Sequence, residues 1–436
     1  MARYRAAPGG RAAGEVTVPG DKSISHRALM LGGIAAGNTE ITGFLAGEDC
    51  LATLRALQAS GVRIEGPHEQ RVTVHGVGPK GLHGAAAPLD MGNAGTAMRL
   101  LMGLLAPQHF DSTLVGDASL MRRPMERVAT PLRLMGANID THDGRPPVTI
   151  RGGSMRAIDY LLPVASAQIK SALLLAGLHA SGRTCITEPA PTRDHTERML
   201  RAFGAQVLQQ GSTICIEGGQ RLRGTAVHVP ADFSSAAFFL VAGCLAAEQG
   251  LLLRDVGVNP TRTGLLGLLL QMGADIRIYP HADRDGDASA EPIADLEVRK
   301  SRLKGIRVPE AMVPLSIDEF PVFFIAAACA QGETLVRGAG ELRVKETDRL
   351  AAMAAGLAAL GVENRLQPDG LWIRGGAGFA GGTVDSHGDH RIAMAFAVAS
   401  LAASGPIDIL DVANVATSFP GFVEIALQAG LRIQTL

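Results

Sequence analysis

The chain has 436 residues, 41 basic side chains against 42 acidic ones, so it is long enough for two or three domains and carries no net charge that would recruit nucleic acid or a membrane surface. Aromatic residues make up 4 %, with one Trp and three Tyr, too few for the stacking platforms that bind single strands. The longest apolar run, Ala236 to Ala247, is too short to span a bilayer, and the arginines before Gly10 have no hydrophobic run behind them, so neither a span nor a signal peptide is read.

In chain order, a strand over Gly14 to Gly20 comes first, and then one phrase returns six times. It consists of a polar cluster, an alanine-rich apolar helix, a short β-rich stretch and an amphipathic helix stopped by glycine. The clusters begin at Asp21, Gly92, Ala165, Ala231, Ser316 and Gly388, separated by 71, 73, 66, 85 and 72 residues. The stops are Gly61, Gly136, Gly204, Gly273, Gly361 and Gly430, where a left-handed residue ends a helix cheaply, and stretches such as Val62-Arg63-Ile64 begin a strand. Alternating segments, Val72 to Gly76, Val148 to Gly152, Ile214 to Gly218 and Leu371 to Gly375, read as closing strands. The longest gap holds His281 to Glu291, an insertion expected as a surface loop.

The pattern predicts βαβαββ units of about 70 residues in two halves of three, with a seam near Val229-Pro230-Ala231-Asp232. The expected domains are 21–230, and 1–20 plus 231–436, with the first strand completing a sheet of the second half. Five scattered cysteines in apolar runs, Cys50, Cys185, Cys215, Cys244 and Cys329, predict buried free thiols in a reducing cytoplasm rather than a disulfide framework or a metal site.

Six helix starts are six potential anion sites. Ser, Asn and Asp in the clusters serve as ordinary caps, but Lys22, Arg27 and Arg391 place cations where the helix dipole disfavours them, which points to bound anions. Second loops add Arg122-Arg123-Pro124, Thr192-Arg193-Asp194-His195 and Arg343-Val344-Lys345-Glu346-Thr347-Asp348-Arg349. Should the starts of both halves face one cleft, Lys22, Arg27, Arg123, Arg193, Lys345, Arg349 and Arg391 would line it and suit phosphates and carboxylates. Carboxylates in the same set, Asp318 beside Glu319 and Glu346 beside Lys345, suit general acid–base work. No Walker sequence, His-Glu-x-x-His pattern or Gly-x-Ser-x-Gly elbow occurs, and His387-Gly-Asp-His390 is read as a helix start rather than a metal spacing.

Asp21-Lys22-Ser23-Ile24-Ser25-His26-Arg27, Gly92-Asn93-Ala94-Gly95-Thr96-Ala97-Met98-Arg99, Arg123-Pro124-Met125, Arg343 to Leu350 and Asp389-His390-Arg391-Ile392-Ala393-Met394, in this order, closely resemble the 5-enolpyruvylshikimate-3-phosphate synthase family over essentially the whole chain. The resemblance implies an α/β fold of two domains, each of three βαβαββ units about a pseudo-threefold axis, the inside-out α/β barrel of enolpyruvyl transferases. It implies transfer of the enolpyruvyl group of phosphoenolpyruvate to the 5-hydroxyl of shikimate 3-phosphate, with phosphate released and no cofactor or metal. Carried over by position, Lys22, Ser23, Arg27, Ser166, Ala167, Gln168, Arg193, Asp318 and Lys345 are the shikimate 3-phosphate site. Lys22, Gly95, Arg123, Gln168, Arg349 and Arg391 are the phosphoenolpyruvate site. Asp318 is similar to the base that takes the hydroxyl proton, and Glu346 and Lys22 are the candidates for protonating the methylene carbon.

The chain departs from the best-known branch at Leu100, Glu341 and Thr417, which places it nearer a second branch, some of whose members tolerate the herbicide glyphosate. Gly95 stands where tolerant members carry alanine, so binding of glyphosate is expected. The sister transferase acting on UDP-N-acetylglucosamine has a reactive cysteine about where this chain has Ala118, an RNA 3′-phosphate cyclase would need a nucleotidylated histidine, and a repeat scaffold would lack convergent acids and bases. The expectation is a cytoplasmic monomer acting on two small anions, with no nucleic-acid or membrane partner, and with the fourth helix start, Asp232-Phe233-Ser234-Ser235, serving only structure.

Overall fold

A computed structural model describes residues 2–281 and 290–436; most of the insertion read as a surface loop, 282–289, lies outside the described residues. Contacts divide the chain into two compact units, one of Gly20–Val229 and Gly286–Glu291, the other of Met1–Pro19, Pro230–Asp285 and Pro292–Leu436.

Within the N-terminal unit three four-stranded sheets repeat one plan. In the second repeat Leu89–Asp90 runs parallel to Asp111–Val115, with the helix Gly95–Leu105 between them, because parallel neighbours need a crossover. The helix Glu126–Leu134 then leads to a hairpin, Asn138–His142 and Arg145–Arg151, whose second strand pairs antiparallel with Asp111–Val115. The first repeat takes its leading strand from the far end of the unit, where Ala226–His228 lies parallel to Ala36–Thr42. The six glycine stops have φ of 92, 97, 88, 92, 82 and 93°, the left-handed conformation a helix end requires and a side chain resists.

The leading helices Lys22–Ile34, Gly95–Leu105 and Ala167–Gly177 form the core, with the sheets outside them. A Cβ on Gly103 would lie 2.1 Å from the carbonyl oxygen of Ala172. Glycine there lets two helices touch backbone to backbone, which draws the residues at their starts together.

In the C-terminal unit the corresponding helices Phe233–Ala246, Phe320–Cys329 and His390–Ala399 pack on one another and are apolar nearly all round, as helices enclosed on every side must be. Their sheets borrow from the chain's first residues. Gly14–Val16 pairs parallel with Leu251–Gly257, a shorter strand than the one expected to Gly20, since Pro19 has no amide to continue a ladder. A strand not anticipated, Arg3–Ala7, inserts between Ile407–Leu410 and Arg432–Thr435 and completes the sixth repeat, burying Tyr4 and Ala6 on alternate positions. The fifth repeat keeps three regular strands, its fourth place reduced to the bridges Lys304 to Gln331 and Arg307 to Leu335.

The expectation of five free thiols is corrected at two of them. Cys185 and Cys215 face each other in the antiparallel pairing of Arg183–Thr187 with Thr213–Glu217, their Cα atoms 4.1 Å apart, and form a disulfide. Sequence spacing carries no register information, so the pairing was invisible there. Cys50 and Cys244 are buried cysteines outside the disulfide, and Cys329 is a partly exposed one.

Candidate active site

In the N-terminal unit the first repeat's helix start is capped by Asp21, whose Oδ1 accepts from the amide of Ile24 at 2.9 Å. Lys22, the first helical residue, donates to Asp49 Oδ2 at 2.9 Å. One turn on, Arg27 is buried with every guanidinium nitrogen engaged, to Thr196 Oγ1 at 2.6 Å, the carbonyl of Ser23 at 2.9 Å and Ser171 Oγ at 2.8 Å. Burial, helped by the nearby charge of Arg193, pushes its pKa down to about 10 against the pull of Glu197 and Asp21. It stays charged at neutral pH, and a bound anion would offset its lost hydration. Ser23, Arg27 and Arg193 therefore share one charged neighbourhood with Glu197, Asp21 and Glu291.

Repeats two and three meet through Gln168. Its Nε2 donates to Thr96 Oγ1 at 2.8 Å and its Oε1 accepts from Arg99 Nη1 at 2.8 Å, fixing the amide at the start of Ala167–Gly177. Ser166 caps that helix, accepting from the amide of Ile169. Arg99 also holds the carbonyl of Pro124 at 3.0 Å, which draws in the neighbouring Arg123. Arg123 is 8 % exposed, donates to the carbonyl of Asn93 at 3.3 Å, and lies so close to Gly95 that a Cβ there would be 2.8 Å from its Nη1. No side chain caps the helix that starts at Gly95, whose own amide donates to the carbonyl of Asn93 at 2.8 Å.

Sequence reasoning passed over the support beneath these groups. Lys170, buried one turn into Ala167–Gly177, reaches Glu197 Oε1 at 2.7 Å, Glu188 Oε2 at 2.9 Å and the carbonyl of Thr192 at 3.4 Å. Thr192 in turn donates to Glu188, so the loop bearing Arg193 is fastened to the helix bearing Gln168. Burial works against the Lys170 charge, and Glu197 and Glu188 more than offset it, leaving its pKa raised. Glu291, buried, binds His195 Nδ1 at 2.6 Å.

The C-terminal unit gathers the acids. Asp318 Oδ1 stands 3.3 Å from Lys345 Nζ and 3.5 Å from Arg349 Nη1. Arg349, 1 % exposed, donates to Glu346 Oε2 at 2.6 Å and to Asp389 Oδ2 at 2.7 Å. Burial opposes its charge, and Asp389, Glu346 and Asp318 outweigh burial, so its pKa is raised. The pKa of Lys345 moves the other way, because loss of hydration outweighs Asp318 and Glu341. Arg391 Nη1 donates to the backbone carbonyl of Asp318 at 3.0 Å. Asp318, Lys345, Glu346, Arg349 and Arg391 thus form one constellation, a carboxylate flanked by cations, with Asp348 and Asp389 capping the helices that deliver Arg349 and Arg391.

His390 opens the helix His390–Ala399 and His387 is exposed, as a helix-start reading requires. Among the described residues Asp255, His281 and Asp295 bring metal-type ligand atoms within 4.8 Å of one another, but Asp295 is already held by Arg254 at 2.6 Å and the amide of Asp255 at 2.9 Å.

Comparison with known proteins bears on this arrangement. The model of the EPSP synthase (3-phosphoshikimate 1-carboxyvinyltransferase) family matches residues 6–426. A 3-phosphoshikimate 1-carboxyvinyltransferase from Methylococcus capsulatus is 60 % identical over 99 % of this chain and 98 % of its own. An EPSP synthase structure from Acinetobacter baumannii superposes with a TM-score of 0.88 at 53 % identity, covering 100 % of both chains. The enolpyruvyl transferase NikO from Streptomyces tendae, 18 % identical with a TM-score of 0.79 and covering 100 % of this chain and 99 % of that one, shares the fold. A match across nearly the whole length, on chains that keep the same fold, leaves one conclusion: the chain belongs to the EPSP synthase family.

Proposed function

We propose that the chain transfers the enolpyruvyl group of phosphoenolpyruvate to the 5-hydroxyl of shikimate 3-phosphate, releasing phosphate. The observation that carries the assignment of roles is the Asp318 carboxylate placed between Lys345 and Arg349, where it can accept a proton from an alcohol. Asp318 takes the 5-hydroxyl proton while Glu346 or Lys22 delivers one to the methylene carbon of phosphoenolpyruvate. The adjacent carbon then carries positive charge and is attacked by the 5-oxygen of shikimate 3-phosphate. Loss of phosphate, together with one proton of the new methyl group returned to Glu346 or Lys22, restores the double bond, with Arg123, Arg349 and Arg391 steadying the departing charge.

Shikimate 3-phosphate is held by Lys22, Ser23, Arg27, Ser166, Ala167, Gln168 and Arg193 together with Asp318 and Lys345. Phosphoenolpyruvate is held by Lys22, Gly95, Arg123, Gln168, Arg349 and Arg391. What supports these lists is that the described groups cluster within each unit and that their hydrogen bonds fix them in place. Leu100, Glu341 and Thr417 support a place nearer the family's second branch. We take the working state to be a cytoplasmic monomer acting on these two charged metabolites.

Phosphate release from the purified chain, measured with either substrate alone and with both, tests the reaction. Release only with both is expected, and release with phosphoenolpyruvate alone would refute it.

A further inference from the structure

The fourth helix start, expected to serve only structure, is part of a buried ionic network that reaches Asp318 and Arg391. Arg262, 3 % exposed, donates through Nη2 to Asp232 Oδ1 at 2.8 Å and to Ser234 Oγ at 2.8 Å. Ser234 donates to Glu319 Oε1. Glu319 directly follows Asp318, precedes the helix Phe320–Cys329 and is 1 % exposed. Its Oε1 lies 3.9 Å from Arg262 Nη1 on one side and 3.8 Å from Arg391 Nη1 on the other. The same Arg391 nitrogen donates to the Asp318 carbonyl at 3.0 Å. Glu319 Oε2 is buried without a hydrogen-bond partner.

A carboxylate with one oxygen left unsatisfied is a poor choice for stability, because a well-packed apolar side chain would avoid its dehydration cost. Its position explains it better. Glu319 supplies negative charge to Arg391 from the interior side, so the guanidinium keeps one orientation while its Nη1 holds the backbone of Asp318. Arg262 and Ser234 keep Glu319 from turning toward Arg391 as a closed pair, which would take that arginine out of service. We infer that Glu319 and Arg262 are positioning residues for the reaction: together they fix Arg391 and the backbone of Asp318. The inference rests on the roles proposed above for Asp318 and Arg391.

The test uses the full chain and the variants Glu319→Gln, Arg262→Met and Arg262→Lys. Glu319→Gln keeps the shape and the Ser234 bond but removes the charge. Its KM for phosphoenolpyruvate should rise about tenfold or more and kcat should fall, since a charge-assisted contact is misaligned. The melting temperature should stay near wild type, and calorimetric binding of shikimate 3-phosphate, for which Asp318 is one contact among several, should weaken by a smaller factor than the phosphoenolpyruvate KM. Arg262→Met should reproduce the effect, Arg262→Lys should restore part of it, and the double variant should be no worse than the more damaging single change. Wild-type kinetics in Glu319→Gln would overturn the inference alone. So would equal losses of phosphoenolpyruvate KM, shikimate 3-phosphate affinity and melting temperature, because that is the signature of a merely structural pair. No turnover by the wild-type chain would overturn the proposed function, and the inference with it. If Arg262→Met fails to fold, Glu319→Gln and Arg262→Lys decide.

Discussion

Gly95→Ala places a methyl group against Arg123. The built Cβ is 2.8 Å from Nη1, 2.9 Å from Cζ and 3.2 Å from Nη2. Comfortable contacts begin near about 3.5 Å, so the guanidinium must retreat by roughly 0.7 Å. Retreat is feasible, because the obstacle is the end of a flexible side chain, and the helix start tolerates alanine. The cost therefore falls on the ligand. One charge-assisted hydrogen bond is worth about 1.5 to 3 kcal/mol, which corresponds to a rise of about 10- to 150-fold in the phosphoenolpyruvate KM if Arg123 loses its aim. Glyphosate, the longer molecule, meets the methyl as well as the displaced arginine, so its inhibition constant should rise by the larger factor. Steady-state kinetics of both proteins, with shikimate 3-phosphate as the internal control, provide the assay. Unchanged phosphoenolpyruvate KM and inhibition constant in Gly95→Ala would refute the steric reasoning.

Asp318→Asn should retain shikimate 3-phosphate binding while kcat drops by about 10² to 10⁴, the usual share of a general base; retained turnover would remove Asp318 from that role. Lys345 has a lowered pKa, so its ammonium surrenders its proton at a lower pH than an ordinary lysine. The shikimate 3-phosphate KM should rise on the alkaline side, and Lys345→Arg, which keeps the charge, should flatten that limb. His179, largely buried and next to Lys80, has a pKa lowered from 6.5 to about 4. The unfolded chain gains a proton there that the folded chain refuses, so stability falls as pH drops from 6.5 toward 4, by up to about 3 kcal/mol. His179→Gln should lessen this acid lability in urea titrations, and identical pH profiles would disprove it. Lys170→Met strands Glu188 and Glu197, so urea unfolding should show a loss of about 3–5 kcal/mol; wild-type stability would mean the buried triad is not ionic.

The glycine stops and most helix caps were legible because each answers a local demand. A helix end needs its left-handed residue within one position, and Asp21, Ser166, Asp232 and Asp389 cap the helices that follow them. The pairing of Cys185 with Cys215 was not legible, because register is set by two strands that sequence cannot align. Arg262 beside Glu319, and Lys170 between Glu188 and Glu197, were hidden for a similar reason, as interior charges look like any others until their neighbours are known. Arg3–Ala7 carried a local signal, since Tyr4 and Ala6 alternate with arginines, but its two partner strands, Ile407–Leu410 and Arg432–Thr435, lie far along the chain. Candidate site residues were readable largely through their resemblance to a family, whereas their supports depend on packing alone.

The borrowing of strands has a consequence for the order in which a ribosome could deliver these units. Every sheet of the N-terminal unit is built from strands between Ala36 and His228, so that unit has all its strands once the first half has emerged. The C-terminal unit must wait. Gly14–Val16 is translated long before its partner Leu251–Gly257, and Arg3–Ala7 gains its last neighbour only with Arg432–Thr435, translated after every other described strand. Until those partners emerge, the two early strands are unpaired β-edges needing protection, and vectorial folding favours the N-terminal unit over the C-terminal one.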